Sequence, residues 1–289
     1  MPENLTLLGL TFLYADVGTL YEGDKTVSPI HEEKLEAFIT TFQLRHTFGQ
    51  GFSMELDVPI GSLRFEGGED SSVYRANGFG DIAMGVRYDL WALWGAGGYS
   101  PSVVIHSKLG LPTGKLLKTS EATETGLINS NPQLLPLGTG AYSATIGLDY
   151  TQYIHKRIAL RMPFWAKFPM HANTNGMKQG NSYGYGMSIL TQPGAGFVVA
   201  AGIDGVVRDY SSEEEKGKIL QSGGHWLNAT LDVGYRINER FFLAARGEMP
   251  IYADVNGQQL SETFRVMGSV TVSFGADPTK THDCAHEGP

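Results

Sequence analysis

Between residues 225 and 274, apolar and polar side chains alternate through three consecutive stretches. Leu227, Ala229, Leu231, Val233, Tyr235 and Ile237 share one parity, and Asn228, Thr230, Asp232, Gly234 and Arg236 share the other. Phe241, Leu243, Ala245, Met249 and Ile251 then oppose Arg246 and Glu248, and Phe264, Val266, Val270, Val272 and Phe274 oppose Arg265, Ser269, Thr271 and Ser273. Successive side chains of a strand point to opposite faces, so each stretch has one apolar face and one polar face. Strands in soluble sheets run about five or six residues, and these are about twice that length. Tilted strands of roughly nine to eleven residues cross the hydrocarbon core of a bilayer.

The composition agrees with a chain that is apolar on only one parity. Only 42% of residues are hydrophobic, 18% are charged, 37 are glycine and the mean hydropathy is -0.15. Many strands and turns fit these values better than helix bundles or disorder. The longest uncharged stretch, 179–203, is interrupted by Pro193, Gly194 and Gly196 and is too polar for a transmembrane helix. Met1, Pro2, Glu3 and Asn4 do not start a secretory signal, so a leader is expected to have been removed. The formal charge of -8, with no basic stripe, argues against a nucleic-acid partner. The single cysteine, Cys284, allows no internal disulfide.

Alternation and turn signals predict an all-β chain of about twelve strands, at 4–15, 34–48, 52–65, 78–91, 100–111, 142–154, 158–168, 181–192, 196–208, 225–237, 241–252 and 262–274. Short connections at 49–51, 92–99, 155–157, 193–195 and 238–240 alternate with longer, polar ones at 16–33, 66–77, 112–141, 169–180, 209–224 and 253–261. That rhythm belongs to a transmembrane antiparallel up-and-down β-barrel of the outer membrane, with short periplasmic turns and long outer loops. Residues 1–274 are expected to form the barrel and 275–289 a periplasmic C-terminal tail. Aromatics mark two expected interfaces. Phe48, Phe52, Trp91, Trp94, Tyr99, Tyr153, Tyr235, Phe241 and Phe274 lie at the short-turn end, and Phe65, Trp165, Phe168, Tyr183, Trp226 and Tyr252 near the long loops.

With the apolar parity toward lipid, the lumen is expected to be lined by Arg45, Glu55, Asp57, Asp81, Arg87, Asp89, Lys108, Asp149, Arg161, Lys167, Asp204, Arg208, Asp232, Arg236, Arg246, Glu248 and Arg265. An Arg or Lys on the lipid face near the midplane costs roughly 2 to 4 kcal/mol, which sets this orientation. Two readings stay open: a water-filled pore for small solutes, or a closed barrel filled by an ion-pair network that serves as a structural or binding component. The connection 112–141 carries Leu116, Leu117, Leu127, Ile128, Leu134, Leu135 and Leu137, enough apolar residues to fold into the lumen or pack on the outer rim.

No enzymatic constellation emerges. A lipid-hydrolysing barrel needs a serine and a histidine on one strand face, yet His106 is followed at once by Ser107, and no histidine has a serine two positions on. No cofactor is implied. In the tail, His282, Cys284 and His286 are weak candidates for a soft metal, and the tail offers a site for a periplasmic partner. Partners are otherwise membrane lipids and a small solute; the oligomeric state is not encoded in these patterns.

Gly78 to Leu90, GFGDIAMGVRYDL, and Lys108 to Lys115, KLGLPTGK, followed by Leu137 to Gly140, LGTG, resemble a bacterial outer-membrane family named for the meta-pathway of phenol degradation. There a Gly-(Leu/Phe)-Gly-Asp opening precedes a strand ending in Leu-Pro-Thr-Gly. The resemblance implies a barrel that passes hydrophobic or aromatic compounds, and it carries over no catalytic residue. Phe274 would be the terminal aromatic used in assembly, followed here by an extra tail.

Overall fold

The computed structural model describes residues 4–28, 33–67, 72–90, 100–114, 137–214 and 217–275. Among them all regular structure is β: β1 (Leu5–Gly23), β2 (Lys25–Val27), β3 (Lys34–Gly49), β4 (Phe52–Gly67), β5 (Ser72–Phe79), β6 (Ala83–Asp89), β7 (Ser102–Gly110), β8 (Ser143–His155), β9 (Ile158–Pro169), β10 (Met177–Lys178), β11 (Ser182–Gly194), β12 (Phe197–Arg208), β13 (Ser212–Glu213), β14 (Gly217–Lys218), β15 (Gly224–Arg236) and β16 (Phe241–Phe274). Eleven elements follow one another in the sheet as β16, β15, β12, β11, β9, β8, β7, β6, β4, β3 and β1, and β1 pairs back onto β16. Each of these pairings is antiparallel.

A ring in which every neighbour is antiparallel needs an even number of spans, and β16 supplies the extra one. Its first arm, 242–255, pairs with β15 and its second, 255–274, pairs with β1. The arms run in opposite directions, and the chain reverses around Gly257, whose φ is +69°. Ten single spans and these two arms make a twelve-span barrel. The link expected at 253–261 is therefore the tip of a hairpin that stays extended.

Two further expectations change. β1 runs to Gly23 and β5 begins at Ser72, so the spans on either side of the first two long links reach further than predicted. Beyond the bilayer the ladder still satisfies backbone groups, but its side chains need not alternate in polarity, so hydropathy cannot show it. The strand predicted at 78–91 is broken at 80–82 into β5, which pairs with β4, and β6, which pairs with β4 and β7. Outside the wall, β10, β13 and β14 form a small sheet that ties two of the long connections together.

One face of the wall is an apolar belt. Leu8, Phe12, Phe38, Phe42, Leu44, Ile105, Ile146, Ile189 and Leu231 are exposed. Aromatics flank it, with Phe48 against Phe52 and Phe197 against Tyr235 at the short-turn end. Phe168 against Tyr183, and Tyr252 against His225, stand at the other. Three expected interface aromatics turn the other way. Phe65 is buried at 2% exposure in an inner cluster, and the register puts Trp165 and Trp226 on the face opposite the belt. An aromatic near a strand end sits on whichever face its parity dictates, and proximity to a loop does not reveal that parity. Trp91, Trp94 and Tyr99 lie outside the described residues.

The belt makes a direct prediction. Phe42 pairs with Leu10 and Val58 near the middle of β3, and neighbouring Gln43 donates to Asp57 at 3.4 Å. Phe42→Arg should lower the urea stability of the vesicle-inserted barrel by about 2 to 4 kcal/mol. Gln43→Arg, beside a carboxylate, should change it by under about 1 kcal/mol. Equal losses would contradict the assignment of faces, and a larger loss in Gln43→Arg would reverse it.

Candidate functional site

The residues expected to line the lumen fall on the face opposite the belt, where the register gathers many of them into two networks. In the first, Arg45 stands opposite Glu55 and binds it at 3.1 Å. Lys108 reaches Glu55 at 3.0 Å and Asp57 at 2.7 Å from two strands away. The position between them is Gly85, where a Cβ would lie 2.8 Å from Lys108 Cγ and 3.1 Å from Glu55 Cγ. The absent side chain is what lets the lysine cross β6. One step along, Arg87 binds Asp149 at 3.0 Å, and Arg161 approaches the same carboxylate at 3.6 Å.

The second network centres on Arg246. Its guanidinium meets Asp204, Asp232 at 3.3 Å and Glu248 at 2.6 Å. Arg265 joins Glu248 at 3.3 Å and also pairs with Glu262. Each of these pairs, in both networks, joins a strand to itself, to its neighbour, or to the next strand but one.

Five of the expected residues stand outside the networks. Asp89 is buried at 4% exposure, and Arg236 is exposed, both toward the short-turn end. Lys167 faces Thr145 and Ser182 on its neighbouring strands. Arg208 Nε donates to Ser182 Oγ at 3.3 Å, and its guanidinium lies 5.8 Å from the Trp226 ring centroid. The fifth, Asp81, sits in the break between β5 and β6 and has a different task. Its carboxylate accepts Gly114 N–H at 2.9 Å and both the N–H and hydroxyl of Thr139 at 2.6 Å. Thr113 Oγ1 accepts Ile82 N–H at 2.9 Å, completing the knot. Gly114 and Gly138 touch so closely that a Cβ on either would lie 2.4 Å from the other's Cα. The Gly-Asp, Leu-Pro-Thr-Gly and Leu-Gly-Thr-Gly segments, far apart in sequence, thus meet as one clamp on both stems of the 112–141 connection.

Beside the clamp, Val17, Leu35, Leu63, Phe65, Ala76 and Leu260 form a buried apolar cluster at the long-loop end. Leu137 packs against it, with its Cδ2 over Gly61 on the same face as Asp57 and Pro59. This stem of the connection therefore runs along the inner face. The segment carrying Leu116, Leu117, Leu127, Ile128, Leu134 and Leu135 lies outside the described residues, as do His282, Cys284 and His286.

Sequence reasoning missed Glu262, His106, Trp165 and Trp226 on this face. Strict parity from Phe264 puts Glu262 toward lipid, but a bulge between Asp16 and Val17 shifts the register and turns it inward to Arg265. His106 shared parity with Lys108 all along; it stands opposite Arg87, with Nδ1 3.7 Å from Asp149.

No family model matches the sequence, and no curated protein does. Solved structures do match in fold. An outer-membrane channel from Pseudomonas putida F1 superposes with a TM-score of 0.77 at 14% identity, over 95% of this chain and 97% of that one. The transport unit of the autotransporter AIDA-I from Escherichia coli superposes with a TM-score of 0.53 at 9% identity, over 93% and 90% of the two chains. The closed ring, its exposed apolar belt and these likenesses agree: the fold is that of a bacterial outer-membrane β-barrel.

Proposed function

We propose that this barrel is a passive outer-membrane channel for small molecules, with the charged residues of the inner face lining its path. The observation that carries this reading is the course of the ion pairs. Both networks run along the wall, linking strands no more than two apart, so they neutralise inner-face charges without bridging the lumen. An eight-strand barrel is just filled by its own side chains, and twelve spans leave a wider interior. On this reading the short turns and the C-terminal segment 275–289 lie on the periplasmic side, and the clamp motifs support the resemblance to the phenol-pathway barrels. The Pseudomonas channel of similar fold supports the same role. Solutes that are apolar or aromatic follow from the phenol-pathway resemblance.

Liposome swelling tests the reading. Vesicles carrying the folded barrel should swell in small neutral solutes at rates that fall with solute size. Rates equal to those of empty vesicles would favour the closed, salt-bridged barrel instead.

A further inference from the structure

The two networks leave one lysine of the inner face without a carboxylate at salt-bridge distance among the described residues. Lys167, third from the end of β9, has Thr145 and Ser182 opposite it, a hydroxyl on each side. The carboxylate that attracts it is Asp81, whose oxygens already accept the three hydrogen bonds of the clamp. Arg208 approaches the same hydroxyl from the other side, since Ser182 is the register partner of both cations. Two positive charges thus converge on one serine across three adjacent strands. Glu262 also attracts Arg208, whereas Lys167 has no carboxylate at salt-bridge distance among the described residues, and a cationic pair flanking a hydroxyl is donor chemistry suited to a carboxylate.

The surroundings specify the rest of the ligand. The Trp165 indole occupies the space a side chain at Gly184 would take, one rung below Ser182, and Trp226 stands under Arg208 with its Nε1 donating to Ser261 at 2.9 Å. Around the ring, β9 and β11 stand six spans from β1 and β3, directly across the barrel. Val17 and Leu35 of the apolar cluster belong to those opposite strands, at the same long-loop end. A molecule passing along this wall meets two cations and two indoles at the long-loop end.

We propose that Lys167, Ser182 and Arg208 form a binding site for the carboxylate of a small amphipathic acid, whose apolar body rests against Trp165 and Trp226. The site deepens the channel reading and rests on it for its place on a transport path.

Benzoate is the probe, benzamide the uncharged control and acetate the control without a ring. In planar bilayers benzoate should reduce the open-channel current at concentrations where benzamide and acetate do not. Lys167→Met should raise the half-blocking concentration about tenfold, while Lys167→Arg stays within about twofold of the parent. Equal block in Lys167→Met, or block by benzamide as strong as by benzoate, would overturn the site. Calorimetry of benzoate with the folded protein in detergent separates this from failure of the channel itself. Binding that Lys167→Met loses, without any conductance, upholds the site and removes the channel; conductance with neither block nor binding removes the site alone.

Discussion

Arg246→Met should unfold the barrel at a lower urea concentration than any other single inner-face substitution and shift its permeation toward cations. Arg246 is the common partner of Asp204, Asp232 and Glu248, and Glu248 in turn holds Arg265. Methionine fills a similar volume but leaves three carboxylates facing one another. Removing one member of a buried ion pair costs about 3 to 5 kcal/mol. The Asp204 and Asp232 side chains keep 31% and 34% of their surface exposed, so solvent screening brings the expected loss to about 3 kcal/mol or less. Arg246→Lys keeps the charge without the fork that reaches several partners, and should fall between. Adding Asp232→Asn to Arg246→Met should restore part of the loss by removing one of the stranded charges. Urea titration in vesicles reads the stability, and the reversal potential in a salt gradient reads the selectivity. No change in either would mean that the second network neither stabilises the wall nor faces the path.

Asp81→Ala should act differently, releasing the 112–141 connection while the barrel remains folded. The substitution removes the acceptor for Gly114 N–H and for both donors of Thr139. A hydrogen bond to a charged group contributes about 1.5 to 3 kcal/mol, so the clamp loses several kcal/mol of local stability, reduced where water replaces the lost acceptor. Opening of a stem is a local event and need not lower global stability. The expected readout is rapid proteolytic cleavage within 112–141 in protein that still migrates as a folded barrel on an unheated gel. Gly138→Ala should loosen the same clamp, because its methyl would meet the Gly114 Cα at 2.4 Å. Resistance to protease equal to the parent in both variants would show that the connection is held by other contacts.

The membrane-spanning part of this fold was legible because a bilayer imposes one strict rule, apolar outward and polar inward, on every span. That rule assigns Arg45, Glu55, Lys108, Asp204 and Arg246 to one face and Leu231, Val233 and Leu243 to the other from parity alone. It fails where the bilayer ends. β1 and β4 continue past the belt, and the bulge near Thr263 that turns Glu262 inward leaves no mark in hydropathy. Parity also cannot say which charges meet. Lys108 finds Glu55 across Gly85, whose missing side chain opens the way, while Asp81 turns to the Gly114 and Thr139 donors of the clamp. The three glycine motifs were visible as a resemblance, but their meeting around Asp81 depends on the break between β5 and β6, a tertiary feature without a local signal.

Single-channel recording in planar bilayers tests the central claim, an open path along the charged inner face, most directly. Protein shown to be folded by its gel migration should give steady, ohmic current steps, and Arg246→Met should move the reversal potential toward cation selectivity. Folded protein that inserts without producing current steps would contradict the claim and leave a closed barrel in its place.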